Sequence, residues 1–215
     1  MERCIFEENQ TIAMGQAELQ TRRYTPEEYF ALEEKSDVRH EYFEGEIFAM
    51  AGASKAHNLL AQNVALGLRM PLRGKGCQVF MEDVRVVVRE NNHYAYPDIV
   101  VSCDPADRRD PYLIRQPVLI VEVLSPSTGD HDRTVKFGHY QKLPSLRHYL
   151  LISQSAWVVE WFQRNEAGQW IYTLLHDPAD VLEIPELGLR LPLAELYDDT
   201  DVAPLRLSDL KGQEF

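Results

Sequence analysis

A chain of 215 residues, 45% hydrophobic and 26% charged, is long enough for one domain with a sizeable core, and its composition is that of a globular protein rather than a disordered or fibrous one. Its apolar runs are strand-sized and no basic-then-apolar leader opens it, which argues against a membrane span or secretion signal and leads us to expect a cytoplasmic protein. The formal net charge of −12 disfavours a broadly basic nucleic-acid-binding surface, but it divides as −7 over residues 1–50, +2 over 51–175 and −7 over 176–215.

The mildly basic middle holds five of the seven histidines, so a local anion-friendly surface within an acidic protein is expected. Cys4, Cys77 and Cys103 are widely spaced and form no C-x-x-C pair. They read as reduced thiols rather than a disulfide framework or a zinc site.

Residues 1–22 show no periodicity and are expected to be a disordered arm before a domain spanning 23–200, with 201–215 as a tail. Thr25-Pro26-Glu27-Glu28 supplies an N-cap, a proline at the first helical position and a capping-box glutamate, opening a helix to about Glu34. His40 to Met50 reads as two strands turning at Glu44-Gly45. Ser54 caps a helix from Lys55 to about Met70, which Pro71 ends. Strands follow at Cys77–Met81, Val84–Arg89 and Tyr94–Val101, then a polar loop from Ser102 to Gln116 and a strand at Val118–Leu124. A turn at residues 126–130 leads to a helix from about His131 to Lys142. Strands recur at His148–Ile152, Trp157–Phe162, Trp170–Leu175 and Val181–Ile184, and a helical turn closes near Leu193–Tyr197. This order predicts an α/β or α+β fold with a mixed sheet flanked by helices.

Two acids stand out in the two most apolar strands: Asp98 in Tyr96-Pro97-Asp98-Ile99-Val100-Val101, and Glu122 in Val118-Leu119-Ile120-Val121-Glu122-Val123-Leu124. A carboxylate among valines and leucines loses several kcal/mol of hydration and survives only with a cation, a donor network or a shifted pKa. If the two strands are neighbours, their carboxylates suit one Mg²⁺, a hard ion that keeps waters and takes phosphate oxygens as further ligands. Asp132, Lys136 and Tyr140 recur at i, i+4 and i+8 on the following helix, and Lys136 can reach over the sheet edge to hold a phosphate or orient water. His57, three residues after Ser54, is a further candidate for touching phosphate or orienting water.

Each has a blander reading. Asp98 could organise a strand end, Lys136 could be a solvated helix residue, and His57 a hydrogen-bonded histidine at a helix start. Glu44, Glu46, Glu82 and Asp83 read as solvated or junction residues. Trp157, Trp161 and Phe162 read as core or dimer contacts before base-stacking ones. No H-E-x-x-H helix, G-x-S-x-G elbow, Walker loop or dinucleotide fingerprint is present.

Tyr96-Pro97-Asp98, then Glu122-Val123-Leu124-Ser125-Pro126-Ser127-Thr128, then Asp132-x-x-x-Lys136-x-x-x-Tyr140 resemble the PD-(D/E)XK nuclease superfamily, and within it the Uma-type restriction endonuclease family. Glu44-Gly45-Glu46-Ile47, Met50-Ala51-Gly52-Ala53-Ser54-x-x-His57-Asn58 and Leu187-Gly188-Leu189-Arg190-Leu191-Pro192-Leu193 are similar too, so the likeness covers roughly residues 24–200. The resemblance implies a restriction-endonuclease-like α/β fold and a homodimeric, Mg²⁺-dependent DNA endonuclease, with Mn²⁺ as a substitute ion. It also implies Asp98 and Glu122 as metal ligands and Lys136 as the polarising amine. One departure is Leu124, where the superfamily usually carries its lysine. That departure and the acidic charge favour the alternative of an inactive nuclease fold that binds DNA or protein.

Overall fold

The computed structural model describes residues 22–50, 52–125 and 129–206. The arm expected over residues 1–22 therefore lies, apart from Arg22, outside the described residues, as do Pro126 to Thr128 of the expected turn and the last nine residues of the tail.

Helix α1 (Pro26–Glu33) opens on the reciprocal cap read from the sequence: Thr25 Oγ1 accepts from the Glu28 amide, and the Glu28 carboxylate accepts from the Thr25 amide at 3.0 Å. Strands β1 (His40–Phe43) and β2 (Glu46–Ala49) pair antiparallel around Glu44 and Gly45, which both carry positive φ, as a tight hairpin requires. Helix α2 (Lys55–Leu72) begins at Ser54, whose hydroxyl accepts from the His57 amide at 3.1 Å. It does not stop before Pro71 as expected, because a proline in the last turn removes only one ladder bond and a single residue remains to follow it.

Strands β3 (Gln78–Met81) and β4 (Arg85–Arg89) lie close to expectation, but the strand expected over Tyr94–Val101 is two: β5 (His93–Ala95) and β6 (Ile99–Ser102). Pro97 offers no amide to a ladder, and the chain leaves one sheet and enters another across Tyr96-Pro97-Asp98. The five-stranded sheet runs β2-β1-β5-β4-β7, with β7 at Leu113–Ile114. The six-stranded sheet runs in the order Trp170–Leu175 (β11), Val159–Arg164 (β10), His148–Ser153 (β9), Pro117–Leu124 (β8), β6, β3. A ribbon of β12 (Val181–Ile184) and β13 (Leu189–Pro192) precedes α3 (Leu193–Leu196).

Parallel strands β8 and β9 are joined by a helical segment that starts at Gly129, earlier than the expected His131, and ends at Tyr140. Its middle, Asp132–Lys136, is a π-helical turn that an i, i+4 reading does not foresee. Alternation along β8 divides the core. Leu119, Val121 and Val123 pack with Leu60, Val64 and Leu68 of α2, whereas Ile120 and Leu124 pack on the other face with Tyr140, Tyr149 and Leu151. Glu122 shares this second face, so the fold commits a carboxylate to an apolar layer.

Two sequence expectations in this region need correction. Cys77 and Cys103 are not free thiols but form a disulfide. The antiparallel register Gln78↔Ser102 places them opposite each other, a proximity hidden by their separation of 26 residues. The polar loop from Ser102 to Gln116 is also more ordered than its composition suggests. Asp107 is buried there and accepts from the Arg115 amide at 2.9 Å, the Gln116 amide at 3.1 Å and the Ser102 hydroxyl at 2.5 Å. Bonds to a buried carboxylate contribute about 1.5–3 kcal/mol each but do not add, because water can reach the donors freed in this surface loop; Asp107→Ala should lower the stability measured by urea unfolding by about 2–4 kcal/mol, through loss of the clasp that returns the chain from β6 to β8.

Candidate active site

The register of β6 against β8, Ile99↔Val121 and Val100↔Ile120, carries one step further to bring Asp98 opposite Glu122. The neighbouring strands that the sequence argument required are therefore present. Asp98 Oδ2 accepts from the Val123 amide at 2.6 Å and lies 3.2 Å from His57 Nε2. Two elements thus fix its carboxylate: the β8 backbone and the first turn of α2. Burial opposes a charge on His57, but the hydrogen bond to Asp98 and the nearby acids outweigh it and raise the histidine's pKa.

Glu122 is 3% exposed. Its Oε1 accepts from Lys136 Nζ at 3.2 Å and from the Tyr140 hydroxyl at 3.1 Å. The amine also lies 3.3 Å from Glu41 and 3.5 Å from Asp132. Burial raises the pKa of Glu122 well above the usual range; Lys136 opposes the rise, and Asp98, Asp132 and Glu41 add to it. Burial pulls Lys136 the other way, but the three acids around it outweigh that and raise its pKa well above the ordinary value, so the amine stays charged. Burial and the Glu122 charge keep Tyr140 neutral and able to donate.

The structure therefore brings Asp98, Glu122, Lys136 and His57 to one cleft of about 840 Å³. Leu124 is buried in the apolar layer, and the amine that stands beside Glu122 comes from the helical segment instead. Asp132 and Tyr140, which the sequence placed on one helix face with Lys136, both join the constellation. Glu41 was missed. It sits mid-strand between His40 and Tyr42, accepts from the Tyr96 amide at 3.3 Å and holds Lys136; its signal was that of Glu122, a lone acid in an apolar and aromatic strand. A second groove of about 630 Å³, between α2 and β3, is lined by no acid, lysine or histidine and offers none of this chemistry.

Trp157 stacks on Tyr197 at 5.3 Å, Trp161 packs against the core, and Phe162 lies 4.3 Å from Phe137, so these rings pack inward as read. Glu44 and Glu46 pair with the arginines Arg89 and Arg23 across exposed gaps of 3.6 and 3.7 Å. His93, another cleft residue, is 8% exposed and packs edge-on against Phe43 and His139. Burial first, then the neighbouring His139, lowers its pKa to about 3 from 6.5. Between those values the unfolded chain binds a proton that the folded chain refuses, so stability falls as pH falls. Wild type should lose about 2 kcal/mol more than His93→Gln between pH 6.5 and 5 in urea unfolding, and equal losses would contradict the assignment.

The model of the family Uma2, described as "Putative restriction endonuclease", matches residues 26–194. Two relatives from Synechocystis are each 36% identical: "Uncharacterized protein slr1290" over 175 residues, 81% of this chain and 92% of the relative, and "Uncharacterized protein sll1609" over 157 residues, 72% and 89%. Among solved structures, the fold is similar to that of "a putative nuclease belonging to DUF820" from Anabaena variabilis, with a TM-score of 0.68 at 18% identity, covering 81% of this chain and 97% of the other. No helix among the described residues is long and apolar enough to cross a membrane.

Proposed function

The chain belongs to the Uma2 family, and from that membership we propose that it is a metal-dependent endonuclease that hydrolyses phosphodiester bonds in DNA. The observation that carries the reading is the meeting of Lys136 with Glu122, Glu41 and Asp132 within 3.2–3.5 Å, beside an Asp98 set opposite Glu122. Among the described residues, four carboxylates line a cleft in which one lysine is the sole Lys or Arg. Such an excess of negative charge repels a phosphate unless a cation joins it.

The donor set fits a hard divalent ion. Among the described residues no three His, Cys, Asp or Glu side chains form a ready metal cage. Mg²⁺ uses one or two carboxylates and completes its shell with water and phosphate oxygens, so the reading asks no more than the pair Asp98 and Glu122. Asp98 and Glu122 would hold the ion, and His57 and the Val123 amide keep the Asp98 carboxylate turned toward it. Bound there, the ion would act as a Lewis acid on the scissile phosphate. Lys136 donates to a phosphate oxygen as charge builds on it, while Glu41 and Asp132 hold the amine in place. Water oxygen joins phosphorus, the bond to the leaving sugar oxygen breaks, and that oxygen departs with a proton. A homodimer in the cytoplasm is the setting we propose for this activity.

The test is nicking of supercoiled plasmid with Mg²⁺ or Mn²⁺ by wild type, Asp98→Ala and Glu122→Ala. We expect cutting by wild type only. Equal cutting by all three would place the chemistry elsewhere. Metal-independent DNA binding without cutting would favour the rival reading, a nuclease fold retained for binding, for which the buried Leu124 at the usual lysine position is the supporting observation.

A further inference from the structure

Cross-strand register sets an aromatic ring beside the catalytic cluster. Glu41 pairs with Phe48, and Phe43 with Glu46, so all four side chains project from one face of the β1–β2 hairpin. That face lines the cleft: Glu41 holds Lys136, and Phe43 packs against His93 and His139 at 5.0 and 4.7 Å. Phe48 is different. It is 48% exposed, lines the same cleft and shares in no ring contact among the described residues. Val135, also exposed, faces the cleft from the helical segment.

The cleft is poorly suited to gripping a duplex. Duplex affinity is drawn mainly from Lys and Arg contacts to phosphates, and Lys136, already surrounded by three acids, is the one such residue lining it among the described residues. An exposed ring in such a site offers what an unpaired base seeks, since every base has a π face and stacking contributes about 1–3 kcal/mol per base.

We propose that the cleft receives a single, unpaired nucleic-acid strand, and that Phe48 is the platform on which a base next to the scissile phosphate stacks. The inference rests on the nuclease reading and narrows its substrate to unpaired strand, whether free or opened from a duplex. In a duplex the base faces are already stacked on one another and closed to Phe48.

The experiment measures fluorescence anisotropy of a labelled oligothymidylate and of a duplex of matched length, with Ca²⁺ as the ion, on wild type, Phe48→Ala and Phe48→Trp. Because Phe48 is half-exposed, neither variant should shift the melting temperature. Phe48→Ala should weaken single-strand binding roughly 5- to 150-fold, the equivalent of about 1–3 kcal/mol. Phe48→Trp should keep it and add an indole signal quenched by the strand. The salt dependence of single-strand binding should be shallow, with a slope of about −1 to −2 on logarithmic axes, as few phosphates are neutralised. The inference is overturned if Phe48→Ala binds like wild type, if the duplex is preferred, or if wild type binds no strand. Plasmid cutting that depends on Asp98 and Glu122 but not on Phe48 overturns it while leaving the nuclease reading intact.

Discussion

Glu122→Gln should reduce cleavage by more than about 10²-fold, since loss of groups that merely support a metal ligand already costs 10–100-fold, and should do so without destabilising the fold. The amide keeps the volume of the glutamate and can still accept from Tyr140, which donates to Oε1 at 3.1 Å. Lys136 keeps Glu41 and Asp132. What is lost is a negative charge that burial and three neighbouring acids oppose. The melting temperature of the metal-free variant should therefore equal or exceed that of wild type. A variant that cuts normally, or one that melts well below wild type, would show that Glu122 is a structural ion-pair partner and not a ligand.

Lys136→Met should fail in both respects. The substitution strips the amine from Glu122, Glu41 and Asp132, and removing one partner from a buried ion pair destabilises by about 3–5 kcal/mol because the others remain buried and uncompensated. Cleavage should fall with it, as no other Lys or Arg among the described residues lines the cleft. A divalent cation can replace part of the missing charge. Saturating Mg²⁺ should then raise the urea midpoint of Lys136→Met more than that of wild type, by the linkage that any ligand of the native state exerts. An equal rise in both proteins would separate the lysine from the metal site.

The two variants together separate charge from chemistry. One removes an acid from a cluster with too many, the other removes the cluster's only amine. Opposite changes in stability with the same loss of cutting are what a preorganised, partly frustrated site produces.

How far the sequence spoke for this site depended on the range of each interaction. Asp98 and Glu122 were legible because a lone acid in an apolar strand is conspicuous; that they share one face of the sheet follows only from the register of β6 against β8. Spacing set Asp132, Lys136 and Tyr140 on one helix face, but the role expected of Lys136 came from the family resemblance, and the π-helical turn between Asp132 and Lys136 was not legible; a change of ladder from i+4 to i+5 leaves no mark on hydrophobic periodicity. Glu41 carried the same local signal as Glu122, but its tie to Lys136, 95 positions along the chain and on another element, was out of reach of pattern reading. The Cys77–Cys103 bond was missed because it follows from strand register, which pattern reading does not supply, whereas the Asp107 clasp is made of loop contacts five to nine residues apart that leave no periodic signal. The split of Tyr94–Val101 into β5 and β6 was within reach. Pro97 in a continuous apolar run already argued against a single central strand, and the break there is what frees Asp98 to face the cleft.

Local rules therefore marked the candidate residues, and long-range register brought them together. Phe48 illustrates both. Its hairpin was expected from Glu44-Gly45, yet its position opposite Glu41 acquires meaning only once Glu41 is seen to hold Lys136.

Anomalous diffraction at the manganese edge from crystals soaked in Mn²⁺ tests the central claim most directly, that the carboxylates of positions 98 and 122 converge into one divalent-cation site beside the amine of position 136. The account predicts a single strong peak in the cleft bounded by oxygens of Asp98 and Glu122, absent from Glu122→Gln crystals treated alike. A peak elsewhere with none between these two residues, or an unchanged peak in the variant, would contradict it.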